Sequence, residues 1–159
     1  MIRRTSLIAL AASALLGACA TTPAPAPLAD TLARDPQLST FNRLVTQAGL
    51  ADELRAAGPI TVFAPSDDAF KALPAKTMDA LAADPAQLKA VLSYHVIDGR
   101  VAAAEVKPGA AKTRQGATLA LAKAGSFVTV DDAVVQQADI VATNGVAHVV
   151  DRVLMPPKK

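Results

Sequence analysis

Two histidines, a serine and two adjacent aspartate pairs are the residues of this chain whose types could support chemistry. Ser66 with His95 or His148 and a carboxylate would make a hydrolytic triad, in which the imidazole activates the hydroxyl and the acid orients it. Asp67-Asp68 and Asp131-Asp132 could bind a hard cation through oxygen. The spacing around these residues argues against both readings. No Gly-x-Ser-x-Gly elbow presents a nucleophile, and Ser66 stands where a helix needs an N-cap. Calcium loops need several oxygen ligands at fixed spacing around a glycine turn, and neither aspartate pair leads into one. Asp67 reads as part of a helix cap, and Asp131-Asp132 as a hairpin turn. No glycine-rich phosphate loop, zinc-type Cys/His spacing or His-Glu-x-x-His helix occurs. The sequence therefore predicts no catalytic residue, no metal and no cofactor.

The histidines read as structural. His95 continues the apolar line Leu88–Val91–Leu92 along a helix that Asp84-Pro85 opens. Tyr94 lies about 100° away around that helix, at the edge of the apolar face. This position lets tyrosine bury its ring and leave its hydroxyl at the surface. His148 sits between Val146 and Val150 in a strand whose other face carries Ala147 and Val149. Such two-sided apolar strands are central ones, and a buried imidazole there needs hydrogen-bond partners, because an unpaired polar group costs about 1–3 kcal/mol. Asn144-Gly145, just before it, is a turn dipeptide suited to positive φ.

The one cysteine of the chain falls at the end of an apparent targeting segment. Arg3 and Arg4 form a basic start, and Leu7 to Leu16 an apolar stretch too short to span a bilayer. Leu16-Gly17-Ala18-Cys19 resembles the lipobox of bacterial lipoproteins, which predicts a signal peptide over 1–18 and acylation of Cys19. Alanine at position 20 favours the outer membrane over inner-membrane retention. Pro23, Pro25 and Pro27 alternate with alanine, so 19–29 reads as an extended tether of about 3.1 Å per residue. A folded domain is expected over 30–157.

The full chain has 16 Lys+Arg and 14 Asp+Glu. Cleavage before Cys19 removes two arginines and leaves fourteen of each sign. A mature net charge near zero, with no basic stripe and no interleaved aromatics, removes the electrostatic motive for nucleic-acid binding. One tyrosine, four phenylalanines and no tryptophan also disfavour a stacking site for sugars or bases.

Helical signals dominate the first half of the domain. Asp35-Pro36 is a cap followed by proline. Leu38, Phe41, Leu44, Val45 and Ala48 then follow at helical spacing up to Gly49. Further short helices are predicted over 50–57, 66–73 and 77–83, with a strand over 60–64. From Val96 the pattern turns to β, with strands predicted near 100–105, 117–122, 127–130, 134–137 and 145–154. Helices first and strands later imply an α+β, mostly β domain in place of alternating βαβ units.

Three separated blocks sharpen this reading. Thr61-Val-Phe-Ala-Pro-Ser-Asp-Asp-Ala-Phe70, Leu92-Ser-Tyr-His-Val-Ile97 and Asn144-Gly-Val-Ala-His-Val-Val-Asp-Arg-Val-Leu-Met-Pro156 resemble, in this order, the signature blocks of the fasciclin domain. The resemblance spans about 29–157. Asp98 stands before Gly99 where proline is more usual, a departure confined to a turn. The resemblance implies a β-wedge of about seven strands with an N-terminal helical layer. It also implies a non-enzymatic adhesion module that binds protein or matrix partners, with Tyr94 and His95 as partner-binding candidates. The alternative is a periplasmic small-ligand binder with an apolar pocket around Tyr94. Asp98-Gly99-Arg100 reverses the integrin tripeptide and carries no adhesive motif.

Overall fold

A computed structural model of the chain describes residues 24–56 and 58–157. The expected signal peptide, Cys19 and the first part of the tether lie outside those residues. Among the described residues no helix is long and apolar enough to cross a membrane.

The helical half comprises α1 (Leu28–Ala33), a 3-10 turn (Pro36–Leu38), α2 (Ser39–Gln47), α3 (Ala51–Ala56), α4 (Asp67–Lys71), α5 (Ala75–Ala83) and α6 (Pro85–Tyr94). Local chemistry sets their ends. The Asp35 carboxylate accepts the Gln37 N–H, and the Asp84 carboxylate accepts those of Ala86 and Gln87, each ahead of a proline that has no N–H to orphan. Gly49, at φ +69°, closes α2 in the left-handed conformation that glycine adopts at least cost. The fold begins earlier than the tether reading implied. Ala26 is buried and α1 starts at Leu28, because Leu28 and Ala29 pack into the core and the Ala26 carbonyl accepts the Thr143 N–H. Proline alternation had marked these residues as linker.

The β half is one nearly closed sheet of seven strands, ordered β2 (Val96–Asp98), β1 (Ile60–Pro65), β7 (Gly145–Val150), β6 (Ala133–Ala142), β5 (Phe127–Val130), β4 (Thr118–Ala124) and β3 (Gly109–Lys112). β1 and β7 run parallel with Phe63 opposite His148; every other pairing is antiparallel. This is the α+β, mostly β wedge that the sequence implied.

Two cores explain why β1 and β7 are apolar on both faces. Val62, Ala64, Ala147 and Val149 pack under the helices with Leu28, Leu32, Phe41 and Leu88. Phe63 and Val150 point the other way, into the wedge, with Tyr94, Ile97, Leu119, Leu121, Val128 and Val130. Alternation along each strand therefore feeds both cores.

Several strand assignments differ from the sequence reading: β2 was not among the predicted strands, and β7 ends at Val150, short of the predicted 154. Residues 100–105 form a loop, because side chains of β1, β6 and β7 capture its backbone, as described below. β3 was not anticipated, since Gly-Ala-Ala-Lys contains no β-branched residue. β6 is longer than predicted and irregular, with register shifts between Val135 and Ile140 and Asp139 at φ +58°; such bulges leave no hydrophobic period to read.

Candidate functional site

Tyr94 and His95 end α6, where the helix turns into β2. Both are buried, at 3% and 0% exposure. The His95 Nδ1–H donates to the Val91 carbonyl at 2.7 Å, and Nε2 accepts the Leu154 N–H at 3.0 Å. A carbonyl at one nitrogen and an amide at the other assign the neutral Nδ1–H tautomer. Burial pushes its pKa down to about 4 against the opposing pull of the Val91 carbonyl. The ring thus ties the C-terminal segment to the end of α6, while the His95 carbonyl accepts the Phe63 N–H from β1 at 2.9 Å.

Tyr94 corrects the expectation of a hydroxyl left free at the surface. Its ring lies in the wedge core, and its O–H reaches the Asp131 carboxylate at 2.8 Å and the Thr118 carbonyl at 3.2 Å. The other Asp131 oxygen accepts the Ala120 N–H at 2.8 Å. Asp131 itself stands at φ +50° in the β5–β6 turn. Helix α6 and the hairpins of the far sheet half are thereby joined through one carboxylate. Burial, then the Asp131 hydrogen bond, raise the Tyr94 pKa to about 12. The hairpin-turn reading of Asp131-Asp132 holds, and the interaction with Tyr94 was not legible because it spans 37 residues.

His148 occupies the central strand as expected, 1% exposed and stacked on Phe63 at 5.5 Å between ring centres. Its Nδ1 accepts the Asp139 N–H at 3.2 Å and its Nε2–H donates to the Val101 carbonyl at 2.8 Å. This is again a neutral ring, in the opposite tautomer. Burial lowers its pKa, against the Val101 carbonyl and the Asp139 charge. The Asp139 carboxylate also accepts the Ala103 N–H at 2.8 Å. The Thr61 hydroxyl donates to the Gly99 carbonyl at 2.7 Å and accepts the Val101 N–H at 2.9 Å. These contacts pin the 99–106 loop across the sheet.

Asn144 and Gly145 are structural, but not for the reason read from the sequence, since neither adopts positive φ. The Asn144 amide donates to the Leu54 and Arg55 carbonyls, and its Oδ1 accepts the Leu28 N–H at 2.7 Å. One side chain so joins the β6–β7 turn to the C-terminus of α3 and the first turn of α1. Gly145 is required by proximity: a β-carbon there would overlap the Ile60 carbonyl oxygen on β1.

The cap at the start of α4 is Ser66, whose Oγ accepts the Ala69 N–H at 3.3 Å. Asp67, read as part of that cap, instead reaches α2, accepting the Ser39 hydroxyl at 2.6 Å and the Thr40 N–H at 2.8 Å. Burial alone would push this carboxyl up, and the hydrogen bonds from Ser39 and Thr40, with the Lys71 charge, together outweigh it and lower the pKa. Among the described residues no group of three His, Cys, Asp or Glu side chains could hold a metal ion. Each nitrogen of both histidines is engaged by backbone, so neither faces a serine.

Fold and site together define a β-wedge whose buried polar residues are architectural. The chain belongs to the fasciclin family, whose Fasciclin domain model matches residues 36–156. It is 42% identical over 121 residues to Protein sll1483 of Synechocystis sp., covering 75% of this chain and 67% of that one. It is 35% identical over 136 residues to the cell surface glycolipoprotein MPB83 of Mycobacterium bovis, covering 82% and 61% respectively. Among solved structures it matches the FAS1 domain pair of the insect cell adhesion molecule fasciclin I, with a TM-score of 0.62 and 24% identity. That match covers 76% of this chain and 46% of that one, and the likeness is one of fold.

Proposed function

We propose that the protein is a non-enzymatic interaction module, tethered to the bacterial cell envelope through lipid on Cys19 and binding a protein or matrix partner through its outer surface. The observation that carries this reading is the full internal engagement of the polar residues best suited to chemistry. His95, His148, Tyr94 and Asp67 direct their side-chain hydrogen bonds to holding elements together, and Ser66 caps α4; with both nitrogens of each histidine bound to backbone groups, no base is left to pair with a nucleophile. The burial of both Tyr94 and His95 disfavours the small-ligand alternative, which needed an open pocket around the tyrosine. Membership of the fasciclin family, which includes a named cell surface glycolipoprotein, supports the envelope location, and the fold is one that a named cell adhesion molecule also uses. Near-neutral mature charge keeps nucleic acid out of the reading.

Two measurements test the two halves. Labelled palmitate is expected on the wild-type chain and absent from Cys19→Ser; equal labelling of both removes the anchor. The Cys19→Ser chain, immobilised, is expected to retain envelope proteins or matrix polymer stoichiometrically without turning over ester or peptide substrates. Turnover that disappears in Ser66→Ala would replace the interaction module with an enzyme.

A further inference from the structure

The sheet fails to close at one seam. β2 is joined to the chain just past the end of β3 by the isolated Ile97–Thr113 bridge and an Arg114 N–H to Val96 carbonyl bond of 2.9 Å, and β3 itself does not pair with β2. Continued pairing would set Asp98 opposite Lys112 and Gly99 opposite Ala111. It stops because Gly99, at φ +97°, turns the chain towards Thr61, whose hydroxyl takes both the Gly99 carbonyl and the Val101 N–H. β3 is therefore an edge. Its one strand neighbour is β4, and no backbone bond joins its outer side among the described residues. An edge with unpaired N–H and C=O groups is a template for another strand.

The ground beside this edge is shaped for one. A cleft of about 660 Å³ runs along the seam between Val101, Ala111 and Lys112, over Ile97 and Leu121. Those last two are 2% and 7% exposed and form an apolar floor. Gly109, Ala110 and Ala111 are small enough to admit a second backbone. Charge selects the occupant. Asp98, the acid on the cleft, is neutralised by Arg114 at 2.8 Å, whereas exposed Lys107 and Lys112 make no ion pair among the described residues. A second copy pairing edge to edge would present its own β3, Gly109–Lys112, which has no carboxylate to offer these lysines.

We propose that β3 and this cleft are the docking site for an extended, acidic segment of a protein partner, which adds to β3 as an eighth strand. Alternate apolar side chains of the segment lie on Ile97 and Leu121, and carboxylates meet Lys107 and Lys112. The proposal rests on the interaction-module reading and gives it a surface and a partner chemistry.

The probe is a capped Glu-Val-Glu-Val-Glu-Val peptide, titrated into the isotope-labelled Cys19→Ser chain and followed by amide spectra and hydrogen exchange. Exchange of the outward-facing amides of 109–112 is expected to slow at least tenfold. Affinity is expected to fall about tenfold or more in Lys107→Glu/Lys112→Glu. N-methylation of the peptide along one edge is expected to abolish binding, and along the other to leave it intact. An unchanged β3, equal binding of both methylated peptides, or an indifferent double variant overturns the proposal. So does protection of β3 that grows with protein concentration without peptide, which would make the occupant a second copy. Envelope partners still retained by the double variant at wild-type level would place the partner surface elsewhere and leave the interaction-module reading standing.

Discussion

Gly145→Ala is expected to destabilise the protein by about 3 kcal/mol or more, a large share of the 5–15 kcal/mol that holds a typical domain together. Backbone conformation is not the cause, because Gly145 has no positive φ. The cause is the approach of the parallel strands. Gly145 is opposite Ile60, and an added β-carbon would overlap the Ile60 carbonyl oxygen while standing 3.1 Å from its carbonyl carbon and 3.2 Å from Cγ1. Backbone cannot swing aside as a side-chain tip can, so β1 and β7 must separate where both cores meet them. Overpacking of this kind typically costs 1–3 kcal/mol, and more when the obstacle is rigid. Gly58→Ala is the matched control: no atom lies within 4 Å of its added β-carbon, and its unfolding free energy is expected to stay within about 0.5 kcal/mol of wild type. Equal midpoints for the two variants would contradict this account of the β1–β7 contact.

The second large effect is acid lability. An exposed histidine takes up a proton near pH 6.5, as His95 does in the unfolded chain, whereas the folded protein holds it neutral down to about pH 4. Its contribution is therefore complete above pH 6.5 and is lost progressively as pH falls towards 4, by about 3 kcal/mol. His148, also shifted down, acts in the same direction. Geometry gives the same answer, since protonation would set an N–H of His95 against the Leu154 N–H, and one of His148 against the Asp139 N–H. The depressed Asp67 carboxyl acts separately: its contribution is present above pH 3.8, where the unfolded carboxyl is half protonated, and is lost as pH falls further through its lower folded pKa. Urea midpoints at pH 7.5, 5.5 and 4.5 are expected to fall steadily. A flat profile, or imidazole resonances of the folded protein that titrate near pH 6.5, would show that the rings are not held neutral.

What the sequence revealed was local or periodic. The 3.6-residue spacing from Leu38 to Ala48, the Asp-Pro caps and the two-sided apolar run around His148 each carry their signal within a few residues, and each element is present, although the first helix opens with a 3-10 turn and β7 stops at Val150 instead of 154. Connections made across the fold carried none. Tyr94 meets Asp131 across 37 residues, and Asn144 meets Leu28 across 116. Helical spacing placed Tyr94 at the edge of an apolar face without showing that a hairpin turn covers it. The burial of the Tyr94-His95 pair, suggested by the apolar line for histidine, extends to the tyrosine because the wedge supplies a second core. Gly145 looked like a turn glycine, since only the parallel register of β1 against β7 exposes its steric role. β3 was invisible because Gly-Ala-Ala-Lys contains no β-branched residue to signal a strand.

The Tyr94-His95 pair builds the framework, and the proposed interaction module recognises its partner from the outside. Tyr94→Phe in the Cys19→Ser chain tests this division of roles most directly, because the change removes one oxygen and leaves the ring in place. A loss of about 1–2 kcal/mol in urea unfolding is expected, from the hydroxyl that no longer meets the Asp131 carboxylate, with envelope partners retained at wild-type level. An unchanged urea midpoint together with lost partner retention would contradict it and make the tyrosine hydroxyl a recognition group.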